Sequence, residues 1–366
     1  MLFATFSHAA DKTVLIGLAA PMSGLSGSTG LSLQRAAEIA IRDLNVQNLR
    51  IGGDRIVFKL LPQDDRADPR AGELIADYFV KSKVAAVVGH WNSGVGIPAS
   101  KIYNAAGIPQ VAPAVTSHAY TQQGFATTFR IVGHDDDGAR YTAEYVMRDL
   151  KARRIVIIDD RTPFGAGYAE QFDKAIGELK GNVAGHFSIG SKTSDFNEVL
   201  RQTKALDPDV IMFGGLDAQA GELVREIKRL EVPGRLVGIG GVVGQTFLKL
   251  AGTAGEGTTV LEPGLPSYKN AQWTHFEKSW KQQYSDPIYL YAPSAYDAVQ
   301  VIAAAMRQAN AVDPVSVTQA LHKVRHKGIT GEIAFDEDGN LRNPQFTLYQ
   351  VRKQEWLVVK TITGKN

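Results

Sequence analysis

Three clusters in the sequence carry side chains able to do chemistry. The first is the loop "GHWNSG" from Gly89, where His90 precedes Ser93 by three residues. A nucleophile and its base also need an orienting acid. None is evident near this loop, so no catalytic residue is assigned and no enzyme is expected. The second cluster is the run Asp135-Asp136-Asp137. A calcium loop needs spaced acidic ligands and a terminal glutamate. The run has neither, and reads as the acidic first turn of a helix, where the dipole favours negative charge. The third is "GIGGVVG" from Gly238. Its third glycine comes one residue late for a dinucleotide loop, and no acidic residue follows at a suitable distance. The chain has no cysteine, which removes disulfides, thiolate catalysis and cysteine-ligated metals together. No metal and no cofactor are expected.

Loops of this kind need elements to hold them. Short apolar runs recur as "TVLIGLAA", "RIVFKLLPQD", "VAAVVGH", "IPQVAPAV", "RRIVIIDD", "VAGHFSI", "DVIMFGG" and "RLVGIG". Bounded by Gly, Pro or Asp, each reads as a buried parallel strand. Between them lie amphipathic stretches. In "SLQRAAEIAIRDLN" the apolar residues Leu33, Ala36, Ala37, Ala40, Ile41 and Leu44 fall on one helix face. "RAGELIADYFVKS", "DDGARYTAEYVMRDLK", "GYAEQFDKAIGELK", "AQAGELVREIKRLE" and "SAYDAVQVIAAAMRQA" follow the same rule, and "FTLYQVRKQEWLVVK" is strand-like. Alternating β and α units imply an α/β fold with parallel sheets. The series runs from Val14 to Val115 and restarts from Ile155 to Val260, so two lobes are expected. Ligands of such sheets bind beyond the carboxyl ends of the strands, near helix N-termini.

At 366 residues the chain exceeds one usual domain. Its 40 basic and 38 acidic residues are well mixed, so neither nucleic acid nor an anionic membrane is an expected partner. No apolar run approaches the ~18 residues of a membrane span. The start, "MLFATFSHAADKTVLIG", reads either as the tail of a secretory signal with a small-residue cleavage site or as an ordinary frayed terminus.

The order of "PMSG", "DDRADP", "VVGHWNSG", "PAVTS", "FRIVGHDDDGARYTAEYV", "PFGAGYAEQF" and "YDAV" resembles the leucine/isoleucine/valine-binding family of periplasmic solute-binding proteins. The resemblance runs from Thr13 to about Lys360 and implies a type I periplasmic-binding-protein fold. That fold has two doubly wound parallel-sheet lobes joined by three crossovers, here near Ile131–Gly133, Leu261–Gly264 and Leu341–Asn343. The boundaries expected are 1–10 as signal remnant or disordered terminus, 11–132 with 264–341 as lobe 1, and 133–263 with 342–366 as lobe 2. The resemblance also implies hinge closure over a small ligand, which is delivered to the permease of an ATP-binding-cassette transporter. A monomeric periplasmic protein is expected.

The family register assigns the ligand's carboxylate to Ser93, Val115 and Thr116. Hydroxyls and backbone N–H groups at a strand-to-helix turn suit an anion, although Ser and Thr also cap helices routinely. Trp91 reads as a pocket wall or a core cover. Phe164 reads as a stacking residue or a helix-start contact, and Tyr291 as interlobe packing or a cleft aromatic. Thr29 and Phe164 stand where the family has tyrosines, and Ala67 and Asn92 where it often has a cysteine pair. The family's ammonium-binding acid falls at Gly240. A buried ammonium without a partner costs several kcal/mol, so either the ligand lacks an amine or another acid substitutes. Asp217, after "DVIMFGG", is that candidate, with a helix cap as its other reading. An amino acid is the expected ligand. An aromatic or other amine-free carboxylate, and a cytoplasmic ligand sensor, are the alternatives.

Overall fold

The computed structural model describes residues 11–364. The expected signal remnant at 1–10 lies outside them. In chain order the elements are β1 (Asp11–Ala20), α1 (Gly27–Val46), β2 (Arg50–Ile51), β3 (Asp54–Asp64), α2 (Pro69–Lys81), β4 (Ala86–Gly89), α3 (Ser93–Ala105), β5 (Gln110–Ala112) and β6 (Thr128–Arg130). There follow α4 (Asp135–Glu144), β7 (Ile155–Asp159), α5 (Gly165–Glu178), β8 (Val183–Ser188), α6 (Asn197–Ala205) and β9 (Val210–Gly214). Next come α7 (Asp217–Arg229), β10 (Arg235–Gly238), α8 (Gln245–Ala251) and β11 (Thr259–Pro263). The chain ends with α9 (Ala271–Gln283), α10 (Ala292–Ala309), α11 (Pro314–Leu321), β12 (His326–Lys327), β13 (Glu332–Ile333), β14 (Gln345–Arg352) and β15 (Glu355–Thr363).

These elements pack as two compact units. Of the described residues, 11–114, 124–131 and 268–341 make the first, and 115–123, 132–267 and 342–364 the second. The stretch 115–123, inside lobe 1 as the sequence reads it, groups with the second unit. The first unit's sheet has the order β2-β3-β1-β4-β5-β6, parallel throughout except for β2 against β3. The second has β15-β14-β11-β10-β9-β7-β8, parallel from β11 to β8.

Both sheets are doubly wound, and each has one place where successive connections leave in opposite directions. In the first unit it lies between β1 and β4, in the second between β7 and β9. Such switch points open a crevice outside the carboxyl ends of the strands. The core explains why the strands are apolar on both faces. Val156, Ile158, Ile211 and Phe213 pack into one cluster with α7 and α8. Ile155, Ile157, Val210 and Met212 face the opposite cluster with α4 and α5. A sheet covered on both faces cannot alternate apolar with polar residues.

The helical period read from Asp136 to Lys151 does not continue as one α-helix. It changes at Tyr145 into a π-helical turn, with the Leu150 N–H donating to the Tyr145 carbonyl at 3.0 Å. The strand-like stretch from Phe346 is a hairpin, β14 against β15, turning at Lys353 and Gln354 with φ of 52° and 60°. Neither turn residue is the Gly or Asn that usually marks such a turn.

Candidate functional site

In the first unit, β4 delivers the loop His90–Asn92 to the switch point, and α3 begins at Ser93. The loop is stitched to its neighbours. His90 is fully buried, its Nδ1 lies 2.7 Å from Asp65 Oδ2, and its Nε2 lies 3.2 Å from the Tyr103 hydroxyl. Gln110 Nε2 donates to the Gly89 carbonyl at 2.9 Å, and the Met22 N–H donates to Asp64 at 2.8 Å. The loops after β1, β3 and β4 are thus fixed by buried or partly buried polar side chains. The sequence reading needs a correction here, because an acid does orient His90. Asp65 stands 25 residues away in sequence, so proximity in the chain could not reveal it. The imidazole then spends its second nitrogen on Tyr103, not on a nucleophile.

Trp91 and Ser93 are buried, and Asn92 is partly so. Asn92 occupies the cap position of α3 without a side-chain capping bond, and its Oδ1 is buried with no hydrogen-bond partner. Ser93, in the first turn of α3, stands where the helix dipole is positive. The helix N-terminus at this end of the crevice suits an anion, whereas the unpartnered Asn92 Oδ1 is an acceptor and calls for a donor. Thr29, in α1, is partly buried. Tyr291 is buried at the cap position of α10, with its ring centroid 5.7 Å from that of Tyr289.

In the second unit too, acids line the carboxyl ends of the strands. Asp159 is buried and accepts from the Arg161 N–H, the Ser188 hydroxyl and His186 Nε2 at 2.7, 2.6 and 2.9 Å. Asp160 accepts from the Thr162 N–H and hydroxyl, and burial pushes its carboxyl up. Phe164 sits at the cap position of α5 and packs on the core beneath, as a helix-start contact would. Gly165 follows because nothing larger fits. A Cβ there would meet the Gly214 carbonyl at 2.2 Å and Asp160 Oδ1 at 2.3 Å.

Asp217 is the first residue of α7, one place inside the cap at Leu216. Its Oδ1 accepts from the Ala218 N–H at 2.8 Å. Burial pushes its carboxyl above the ordinary range, against hydrogen bonds from Ala218 and Thr246. No base is among the groups acting on it. Its loop packs against the loop that holds Gly240. A Cβ on Gly244 would lie 3.9 Å from Asp217 Oδ2, and one on Gly241 would lie 3.0 Å from the Leu216 side chain. Within this unit, then, Asp217 stands beside the loop of Gly240, the position to which the resemblance assigns the family's acid.

Val115 and Thr116 are buried, and the Thr116 carbonyl accepts from the Asp135 N–H at 2.9 Å. That bond draws the buried Asp135 to Thr116. From the sequence alone, Asp135 is expected only as part of an acidic helix turn. It is indeed the first residue of α4, but its burial beside Thr116 is a feature that helix period alone does not show. Asp136 and Asp137 are engaged by His118 at 2.6 Å and Arg140 at 2.7 Å. A further acid went unremarked in the sequence. Glu262, fully buried on β11, accepts the N–H groups of Gly241 and Val243 at 2.8–2.9 Å. A lone acid inside an apolar strand, as in "TTVLEPG", was the available signal.

Among the described residues, no helix is long and apolar enough to cross a membrane. The sequence profile of the periplasmic binding protein family matches residues 13–355. The Leu/Ile/Val-binding protein homolog 1 of Brucella suis biovar 1 (strain 1330) is 31% identical over 349 residues, covering 95% of this chain and 93% of that one. Among solved structures, a leucine binding protein from Thermotoga maritima superposes with a TM-score of 0.87 at 23% identity, over 95% of this chain and 98% of that one. A solute binding protein of an ABC transporter from R. palustris, in complex with benzoate, gives 0.83 at 20% identity, over 97% and 98%. With the family profile spanning nearly the whole chain and the doubly wound sheets in place, this protein belongs to the periplasmic binding protein family.

Proposed function

We propose that this protein is an extracytoplasmic receptor that captures a free amino acid and delivers it to an ABC-transporter permease, without chemical change of the ligand. In this reading the carboxylate is taken at Ser93 with Val115 and Thr116, and Trp91, Asn92, Thr29, Phe164 and Tyr291 shape the surroundings. The ammonium is taken by acids of the second unit. One observation carries the choice of an amino acid: the second unit has Asp160 and Asp217 after β7 and β9 and Asp135 at the start of α4, all wholly or partly buried. Carboxylates desolvated in this way favour a cation and oppose a second anion. Asp217 is the first candidate for the role that Gly240 cannot fill, and Asp135, held beside Thr116, is the second. The named function of the Brucella suis relative, Leu/Ile/Val binding, supports the same class.

A second reading, an amine-free aromatic carboxylate, is favoured by Gly240 together with Trp91. The R. palustris protein of similar fold, crystallised with benzoate, is consistent with it. A thermal-shift screen separates the two, because a ligand bound only by the folded state stabilises it by mass action. Amino acids should raise the melting temperature, and their deaminated counterparts should not. The reverse ranking would establish the second reading.

A further inference from the structure

The loop Ile239–Gly244 has glycines at three of its positions and a left-handed residue at Gly241, whose φ is 87°. Glycine loops lose much conformational entropy when ordered, so something must hold this one. Glu262 does so from the neighbouring strand β11. Both carboxylate oxygens take the Gly241 N–H, at 2.8 and 2.9 Å, and Oε1 also takes the Val243 N–H at 2.9 Å. A fully buried carboxylate is costly unless paired or well hydrogen-bonded. Converging backbone N–H groups form the kind of nest that stabilises an anion. The anion and the loop therefore depend on each other. Glu262 also acts beyond the loop. Burial chiefly, and with it the nearby charges of Asp135 and Glu262, opposes ionisation of the Tyr168 hydroxyl, which lies 2.7 Å from the Thr142 hydroxyl.

We propose that Glu262 is a specificity-determining positioning residue: it supplies from β11 the negative charge that position 240 lacks, and so biases this end of the unit towards ligands carrying a cationic nitrogen. The proposal rests on the amino-acid reading above. Glu262 acts through the loop and through space, while Asp217 and Asp135 are the groups proposed to touch the ligand.

The test compares wild type, Glu262→Gln and Gly241→Ala by calorimetry, with L-leucine and its amine-free analogue 4-methylpentanoate as probes. Glu262→Gln should weaken leucine by roughly tenfold or more, as expected for loss of a complementary charge, and leave 4-methylpentanoate unchanged or tighter. Gly241→Ala strains the loop but keeps the charge, so it should weaken both probes alike. Equal losses for both probes in Glu262→Gln would reduce Glu262 to a structural prop and overturn the proposal. A wild type that prefers 4-methylpentanoate to leucine would overturn it together with the amino-acid reading. Amide hydrogen exchange on the ligand-free proteins needs neither probe. Protection at Gly241 and Val243 should fall in Glu262→Gln while the rest of the second unit is unchanged. Unaltered protection there would refute the proposal alone, whatever the ligand.

Discussion

At Ser93 and Thr116 the proposed chemistry is hydrogen bonding from a hydroxyl to a carboxylate. Ser93→Ala and Thr116→Ala should each weaken the cognate ligand by about 1.5–3 kcal/mol, the range for hydrogen bonds to a charged group. Calorimetry on the single and double variants measures this, and unchanged affinity in the double variant would remove both residues from the site. Asp217→Asn should cost an amino-acid ligand about 2–5 kcal/mol through loss of a desolvated charge pair, while an amine-free carboxylate should bind as before. Equal leucine affinity in this variant would leave Asp217 a first-turn helix residue only. Away from the site, Asp297 is buried and accepts from the Ile329 N–H and from the N–H and hydroxyl of Thr330. Burial raises its carboxyl from 3.8 to about 6. Because the folded value is the higher one, its contribution to stability is fully present below pH 3.8 and is lost as pH rises through about 6. The stability of wild type relative to Asp297→Asn should therefore grow as pH falls from 7 to 4. Denaturant titrations at stepped pH would show a flat difference if Asp297 does not titrate there.

At the scale of elements, much was legible because the central parallel strands β4, β5, β7 and β9 are buried on both faces and so appear as unbroken apolar runs. "RRIVIIDD" and "DVIMFGG" are β7 and β9 for this reason. Helix faces such as Leu33 to Leu44 were equally plain. What stayed hidden were features set by tertiary contact. The Lys353-Gln354 turn lacks turn residues, and the Asp65–His90 bond joins the loops after β3 and β4 across 25 residues. Asp217 could be located at the end of a strand, but its packing beside the Gly240 loop depends on strand order, which no periodicity reports. The Asp65–His90 bond has a measurable consequence for these elements. His90→Leu leaves a buried carboxylate oxygen without its partner and should destabilise the protein by about 1–3 kcal/mol or more. Urea unfolding is the check, and an unchanged midpoint would mean that the loops hold without it.

For the whole molecule, the hinge closure that the family resemblance implies predicts that a cognate ligand favours a more compact population. The radius of gyration from solution scattering should fall on saturation, and identical curves with a ligand of proven binding would argue against closure. The most direct measurement of the central claim is a calorimetric titration of the purified protein with branched-chain amino acids and with their deaminated analogues. The account predicts one-to-one binding of an amino acid and a loss of roughly two orders of magnitude when the amine is removed, as for a desolvated charge pair. Tight binding of an amine-free carboxylate, with no heat from any amino acid, would contradict it.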